Sequence, residues 1–270
     1  MAMKGRVAQL TDTHIVREGS TYLGTETARY LADALAAVHT LDPLPDYIAV
    51  TGDLVNSGRD AQYARFREIM SASRIPYFVI PGNHDDRVRM RAMLARETYG
   101  GVAGELRHFS IDDFPIRLIG LDCNAPRPSP RAVADAATLA WLDRSLAQAP
   151  AHPTLVAVHQ PPFRTGLHYL DVLGFGGRSH LRTLVNRHTQ AGAVISGHIH
   201  CVRRAVWKGA VASSAPSTAP QVIPLIFMQG RILGLAHEAP GFAVHDLLDD
   251  GTFARTVFRR RESGAYAADE

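Results

Sequence analysis

Five short apolar runs in this 270-residue chain each stop on a residue that can bind a metal or move a proton. Arg6–Leu10 leads into Asp12-Thr13-His14, and Tyr47–Val50 into Thr51-Gly52-Asp53. Tyr77–Ile80 leads into Pro81-Gly82-Asn83-His84-Asp85-Asp86. Thr154–Val158 leads into His159-Gln160-Pro161-Pro162, and Ala193–Ile195 into Ser196-Gly197-His198-Ile199-His200. Between them lie stretches with apolar residues at helical spacing: Thr27–Val38 with Thr25 as N-cap, Ala61–Met70, Thr138–Ala147 and Leu181–Arg187. Ile116–Leu121 reads as a further strand. Strand followed by helix, repeated, predicts an α/β architecture. In such sheets ligands bind beyond the carboxyl ends of strands, so the five polar ends point to one shared site.

The groups collected there are Asp12, His14, Asp53, Asn83, His84, His159, His198 and His200. Residues two apart in an extended segment point to the same side, so Asp12 with His14, and His198 with His200, can each reach one ion. Carboxylate, amide and imidazole donors without a thiolate suit Mn, Fe, Zn or Co. Seven ligands exceed what one ion holds but fit two ions that share a carboxylate. Asp53 is the natural bridge, across ions about 3.5–4 Å apart. The glycines before Asp53, Asn83 and His198 let the backbone approach closely. His39, His108, His152, His180, His188, His237 and His245 have no such company and read as surface or internally satisfied side chains.

Composition excludes several other classes. Hydrophobic residues make up 46% and charged residues 20%, which fits a globular protein with a substantial core. The net charge is +3, and the densest basic run, Arg259-Arg260-Arg261, is followed by acids and reads as a solvated face. No nucleic-acid polymer is expected as partner. The N-terminus lacks the pattern of a signal peptide, and no apolar run is long enough to span a bilayer. Two cysteines, Cys123 and Cys201, make no disulfide framework, so a cytoplasmic location is expected.

The motifs DTH, GD, GNHD, H and GHIH, in this order from Asp12 to His200, resemble the calcineurin-like metallophosphoesterases. The resemblance implies a four-layer αββα sandwich of two mixed β-sheets flanked by helices, with a β-rich C-terminal cap or dimerisation segment. It implies one metallophosphoesterase domain over residues 1–270: a core over about 1–212, a cap over about 213–240, and C-terminal strands over 241–262. By the same match, Asp12, His14, Asp53 and His200 hold the first metal, and Asp53, Asn83, His159 and His198 the second. His84 matches the histidine that touches substrate and protonates the leaving oxygen. Asp85 then orients His84 or caps the next helix, and Asp86 is a helix N-terminal acid.

GDLVNSG, IPGNHDD, HQPPFRTG and APSTAPQV are similar to segments of the class III cyclic-nucleotide phosphodiesterase branch, which includes bacterial glycerophosphodiesterases. The activity this implies is hydrolysis of small phosphodiesters, by hydroxide formed from a water whose pKa the metals lower. Asn83 and Asp53 join His84 as catalytic groups, and Asn56 and His168 are candidate substrate contacts. Pro220 stands where similar proteins often have His, and Gln160 where they often have a second His. The alternatives are a phosphomonoesterase or other phosphohydrolase on the same metals, and a non-catalytic scaffold. Residues 202–260 are expected to complete the second sheet, with Ser213–Ala239 as cap or subunit contact and Val222–Met228 as a core or interface strand. A homo-oligomer, dimer or higher, is expected.

Overall fold

The computed structural model describes residues 2–94, 108–126, 129, 131–219, 223–228, 231–236 and 238–269, with the backbone alone for 223–228, 231–236 and Tyr169. The chain opens with β1 (Met3–Leu10), α1 (Thr27–Val38), β2 (Tyr47–Thr51), α2 (Asp60–Met70), β3 (Tyr77–Ile80) and α3 (Arg87–Met93). It continues with β4 (His108–Ile111), β5 (Arg117–Leu121), β6 (Ala132–Val133), α4 (Ala136–Gln148), β7 (Thr154–Val158), α5 (His168–Leu173), β8 (Phe175–Gly176), α6 (Arg178–Val185) and β9 (Ala193–Ser196). Seven strands close it: β10 (Arg203–Val206), β11 (Val211–Ser214), β12 (Ile223–Met228), β13 (Arg231–Ala236), β14 (Gly241–Leu248), β15 (Phe253–Arg260) and β16 (Tyr266–Ala268).

Among the described residues these strands make two six-stranded mixed sheets. The first has the order β16-β15-β14-β1-β2-β3, and the second β10-β11-β9-β7-β5-β4. β1, β2 and β3 run parallel, with β14 antiparallel to β1. β5, β7, β9 and β11 run parallel, and β4 and β10 are antiparallel edges. The expectation that residues 202–260 complete the second sheet therefore holds only for β10 and β11. β14 and β15 join the first sheet, because β14 zips along almost the whole length of β1.

Side-chain alternation explains the four layers. In β7, Leu155 and Ala157 join the core between the sheets, while Val156 and Val158 face the opposite way. There they meet Leu142 and Leu146 of α4 and Leu181, Leu184 and Val185 of α6. On the far side of the first sheet, Leu31 and Leu35 of α1 and Phe66 and Met70 of α2 are buried. With both faces covered, β2 and β7 are buried at every position, the signature of a parallel sheet under helices.

Three local expectations shift. Thr25 is not the cap of α1: it forms a tight bridge with Tyr22, and the helix starts after Glu26. α6 begins at Arg178, earlier than expected, because Gly177 takes a left-handed turn into it. The run Arg259-Arg260-Arg261 is not a solvated face: Arg259 pairs with Glu238 and Asp269, and Arg260 with Asp33. The segment expected as cap or dimerisation element does not begin at 213. Val211–Ser214 lies in the second sheet and residues 215–219 run under the site, so a separate hairpin begins only with β12 and β13. Pro220, Val222 and His237 lie outside the described residues.

Candidate metal centre

β1, β2, β3, β7 and β9 end at the same edge of the sandwich, and their following loops meet there. Backbone N–H groups of Asp12 and His14 donate to the carbonyls of Gly52 and Asp53, at 3.0 and 2.9 Å, so the first two loops run side by side. Among the described residues six non-glycine positions have left-handed backbone, and five are Asp12, His14, Asp53, His198 and His200. Such conformations cost of order 1–3 kcal/mol each and persist only where surrounding structure enforces them. This corrects the extended geometry expected for the two D-x-H and H-x-H pairs. The paired side chains converge because the chain curls at both members of each pair.

Glycine makes the close approach possible. Gly52 has φ +96, and a Cβ there would strike the His159 ring. A Cβ on Gly82 would strike the main-chain N and carboxylate of Asp53, and one on Gly197 the side chains of Thr11 and Asp12.

The eight expected residues come together. His200 Nε2 lies 3.3 Å from Asp12 Oδ1 and 3.1 Å from His14 Nε2. His14 Nε2 is 3.8 Å from Asp53 Oδ2, and His159 Nε2 is 3.3 Å from the same oxygen. His159 Nε2 also faces Asn83 Oδ1 at 3.1 Å, and the rings of His159 and His198 meet at 5.1 Å. Asp12-His14-His200 and Asp53-His159-His198 form two compact ligand groups, with ligand atoms within 4.8 Å of one another in each. His84 stands beside both, its ring 4.8 Å from that of His14. Its main-chain N–H donates to Asp53 Oδ1 at 2.8 Å.

Protonation in this geometry suits cation binding. Burial resists ionisation of Asp12, yet the adjacent His200 ring holds its carboxyl down to about 2. Asp53 is likewise held well below the usual range despite burial, chiefly by His159. Burial pushes His14 and His198 down to about 3, leaving both rings neutral with a lone pair to give. His159 Nδ1–H donates to the Thr51 carbonyl at 2.8 Å, so Nε2 of the neutral ring would face two acceptor oxygens with no proton between them. Burial alone would lower this ring, but the Asp53 carboxylate raises it to about 9. A proton fills the gap in the metal-free arrangement, and a divalent cation satisfies the same oxygens and nitrogen better. His14 Nε2 and His200 Nε2, facing each other with both Nδ1 atoms buried and unpartnered, show the same surplus of acceptors.

The neighbours separate by role. Asp85 neither orients His84 nor caps a helix. Its carboxylate accepts from the N–H groups of Gly82, Leu54 and Val55 and from the Tyr63 hydroxyl, clamping two loops together. Burial and the nearby Asp53 charge raise it to about 7. Asp86 caps α3 by accepting from Val88 and Arg89 N–H. Asn56 reaches the site through its carbonyl, which takes the His84 Nδ1–H at 2.7 Å. His168 is exposed at the start of α5, whose flank packs on the GHIH loop through Leu167 and Leu170 against Ile199 and Cys201. Gln160 Nε2 donates to Asn124 Oδ1, and Asn124 Nδ2 to the Pro81 carbonyl, so Gln160 steadies the GNHD loop from behind. Burial raises the Cys201 thiol to about 11, which makes it inert. Motif reading missed Tyr22, stacked on His14 at 4.7 Å, and Ser217, whose hydroxyl donates to the Asp12 carbonyl at 2.7 Å.

A sandwich of two mixed sheets with five carboxylate- and imidazole-bearing strand ends defines a class, the metal-dependent phosphoesterases. The model of the calcineurin-like phosphoesterase family matches residues 5–202, and the chain belongs to that family, whose members are dinuclear metal enzymes. It is 32% identical over 220 residues, 80% of this chain and 79% of the relative, to a probable glycerophosphodiester phosphodiesterase of Arcobacter nitrofigilis. It is 29% identical over 255 residues, 94% and 89% of the two chains, to a 3',5'-cyclic adenosine monophosphate phosphodiesterase of Escherichia coli K12. A dimetal phosphatase from Danio rerio superposes with a TM-score of 0.67 at 15% identity, covering 99% of this chain and 96% of that one, which speaks to the fold alone. No helix among the described residues is long and apolar enough to cross a membrane.

Proposed function

We propose that this protein hydrolyses small phosphodiesters, 3',5'-cyclic nucleotides or glycerophosphodiesters, at a dinuclear metal centre. The observation that carries the reading is the convergence of two ionised, buried carboxylates, four imidazoles and an amide, five of these seven residues on enforced left-handed backbone, with His84 beside them. Asp12, His14, Asp53 and His200 would hold one ion, and Asp53, Asn83, His159 and His198 the other. The mixed oxygen and nitrogen donors suit Mn, Fe, Zn or Co. Such ions supply positive charge for the phosphoryl oxygens and lower the pKa of a water toward neutrality.

The chain's own residues do the rest. Asp53 lies between the two ligand groups and fixes their separation. His84 is oriented twice, by its Nδ1–H on the Asn56 carbonyl and by its main-chain N–H on Asp53. Its Nε2 remains to hydrogen-bond the phosphoryl group and, when protonated, to pass a proton to the leaving alkoxide. Water adds to phosphorus, one P–O ester bond breaks, and the alcohol departs protonated. Asn56 and His168 are assigned to the flank of the substrate. The named activities of the two relatives support the diester class.

The test is an assay on metal-stripped protein refilled with Mn. The panel is bis(p-nitrophenyl) phosphate, p-nitrophenyl phosphate, cyclic AMP and glycerophosphoethanolamine. Higher kcat/KM for the diesters is expected, and the ratio of the last two picks the branch. Preference for the monoester would overturn the diesterase reading and favour a phosphomonoesterase. No turnover with both ions bound would favour the scaffold.

A further inference from the structure

Gln9 lies on β1, fully buried, and its amide is used at both ends. Nε2 donates to Thr51 Oγ1 at 3.0 Å and to the Ser196 carbonyl at 2.9 Å. Oε1 accepts from His245 Nε2 at 3.0 Å. Thr51 is the last residue of β2 and Ser196 the last of β9, so one side chain ties the first sheet to the second directly beneath the centre. The Thr51 carbonyl is the acceptor that fixes the His159 ring. Ser196 is followed by Gly197, whose N–H donates to the His159 carbonyl at 2.9 Å, and then by His198. Both attachments thus lead to the two imidazoles assigned to the ion on Asp53 and Asn83.

A glutamine amide has one donor end and one acceptor end, and a packed interior fixes which way it points. The Ser196 carbonyl, which can only accept, makes that choice, and His245, on β14, completes it. Its ring is buried, and burial together with the nearby Arg255 charge keeps it neutral. The single N–H of a neutral ring, directed at Oε1, leaves the Gln9 NH₂ facing Thr51 and Ser196. A flipped amide would set an NH₂ against an N–H and two oxygens against each other. Unpaired buried polar groups of that kind are costly.

We propose that Gln9 and His245 are positioning residues that set His159 and His198 for the second ion and leave the first ion's ligands largely untouched. The proposal rests on the dinuclear reading above. It is tested with Gln9→Met, which keeps length and removes both polar ends, with His245→Leu, and with His245→Gln, whose Nε2 can stand in for the imidazole Nε2. Calorimetric Mn titration of the full chain should show one of the two binding steps loosened about 10–100-fold in Gln9→Met and His245→Leu, the usual cost of losing an outer support. The other step should not move, and His245→Gln should keep both steps near wild type. In the metal-free protein, the His159 Nδ1–H resonance should exchange with water faster in Gln9→Met than in wild type.

Equal loosening of both steps together with a lower melting temperature would reduce the pair to a structural role and overturn the proposal. So would a His245→Gln variant no better than His245→Leu, or an unchanged His159 Nδ1–H signal. If wild type itself takes up fewer than two ions, the dinuclear reading fails, and the pair is then judged on the His159 Nδ1–H signal alone.

Discussion

β2 and the two residues that follow it are built on opposite terms. Tyr47–Thr51 is buried at every position, regular, and paired with parallel neighbours on both sides. Gly52 and Asp53 are buried too, yet both have positive φ, and Asp53 holds an ionised carboxylate away from water. The same change occurs where β1 gives way to Asp12 and His14, and beyond β9 at His198 and His200. The strand bodies bury apolar surface and stabilise the fold, while their ends spend part of that stability on a fixed cluster of charges. Function and stability should therefore separate sharply over one or two residues of the same strand.

The largest effect expected is on the loop side. Asp53→Asn removes the carboxylate proposed to be shared by the two ions, and kcat/KM should fall about 10³-fold or more, on the scale of losing a dominant electrostatic group. Bound Mn per chain should fall below two by elemental analysis. The metal-free protein should lose only part of its stability, because the Asp53–His159 attraction that is given up is partly offset by relief of the repulsion between Asp53 and Asp12. A large loss of apo stability would break the contrast.

On the body side, Phe66→Ala empties a fully buried site on α2 and should cost about 3–5 kcal/mol in denaturant unfolding. The kcat of the folded fraction should stay near wild type. A kcat that drops in proportion would mean that core and centre are not separable.

The pH response sharpens the comparison within the centre. His159 keeps its proton up to about 9 in the metal-free protein, and ligation needs the neutral ring. Protons and ions compete, so affinity for the ion on Asp53, Asn83, His159 and His198 should rise with pH. The slope should approach about tenfold per unit and flatten near the folded pKa. Mn titrations at several pH values would reveal it, and a flat response through the neutral range would contradict the protonated ring.

The smallest effect concerns the clamp between loops. Tyr63→Phe removes the hydroxyl that donates to Asp85 at 3.1 Å and accepts from the Asp86 N–H at 2.8 Å. Thermal unfolding should report a loss of about 1–3 kcal/mol, with a modest fall in kcat. No change in either would remove the clamp from the description.

The convergence of the candidate ligand residues was legible because each sits directly after an apolar run, where a buried carboxylate or imidazole has no ordinary structural reason to be. α1 and β3 were legible for a related reason, since their apolar period is uninterrupted, although the cap expected for α1 at Thr25 is not the one the helix uses. What local pattern does not carry is the curl at Asp12, His14, His198 and His200, because left-handed backbone at a non-glycine residue is imposed by neighbouring loops. The return of β14 to β1 was hidden for a similar reason: short apolar strands carry no label for the sheet they join. Gln9 and His245 are 236 residues apart and belong to no motif, so only the folded chain shows them as a pair.

The most direct test of a centre held by two sets of strand ends with Asp53 between them is anomalous diffraction from crystals of the Mn-loaded protein. Two peaks about 3.5–4 Å apart are expected, with one Asp53 oxygen or both between them. Asp12, His14 and His200 should surround one peak, and Asn83, His159 and His198 the other. A single peak, or two peaks that do not share Asp53, would contradict it.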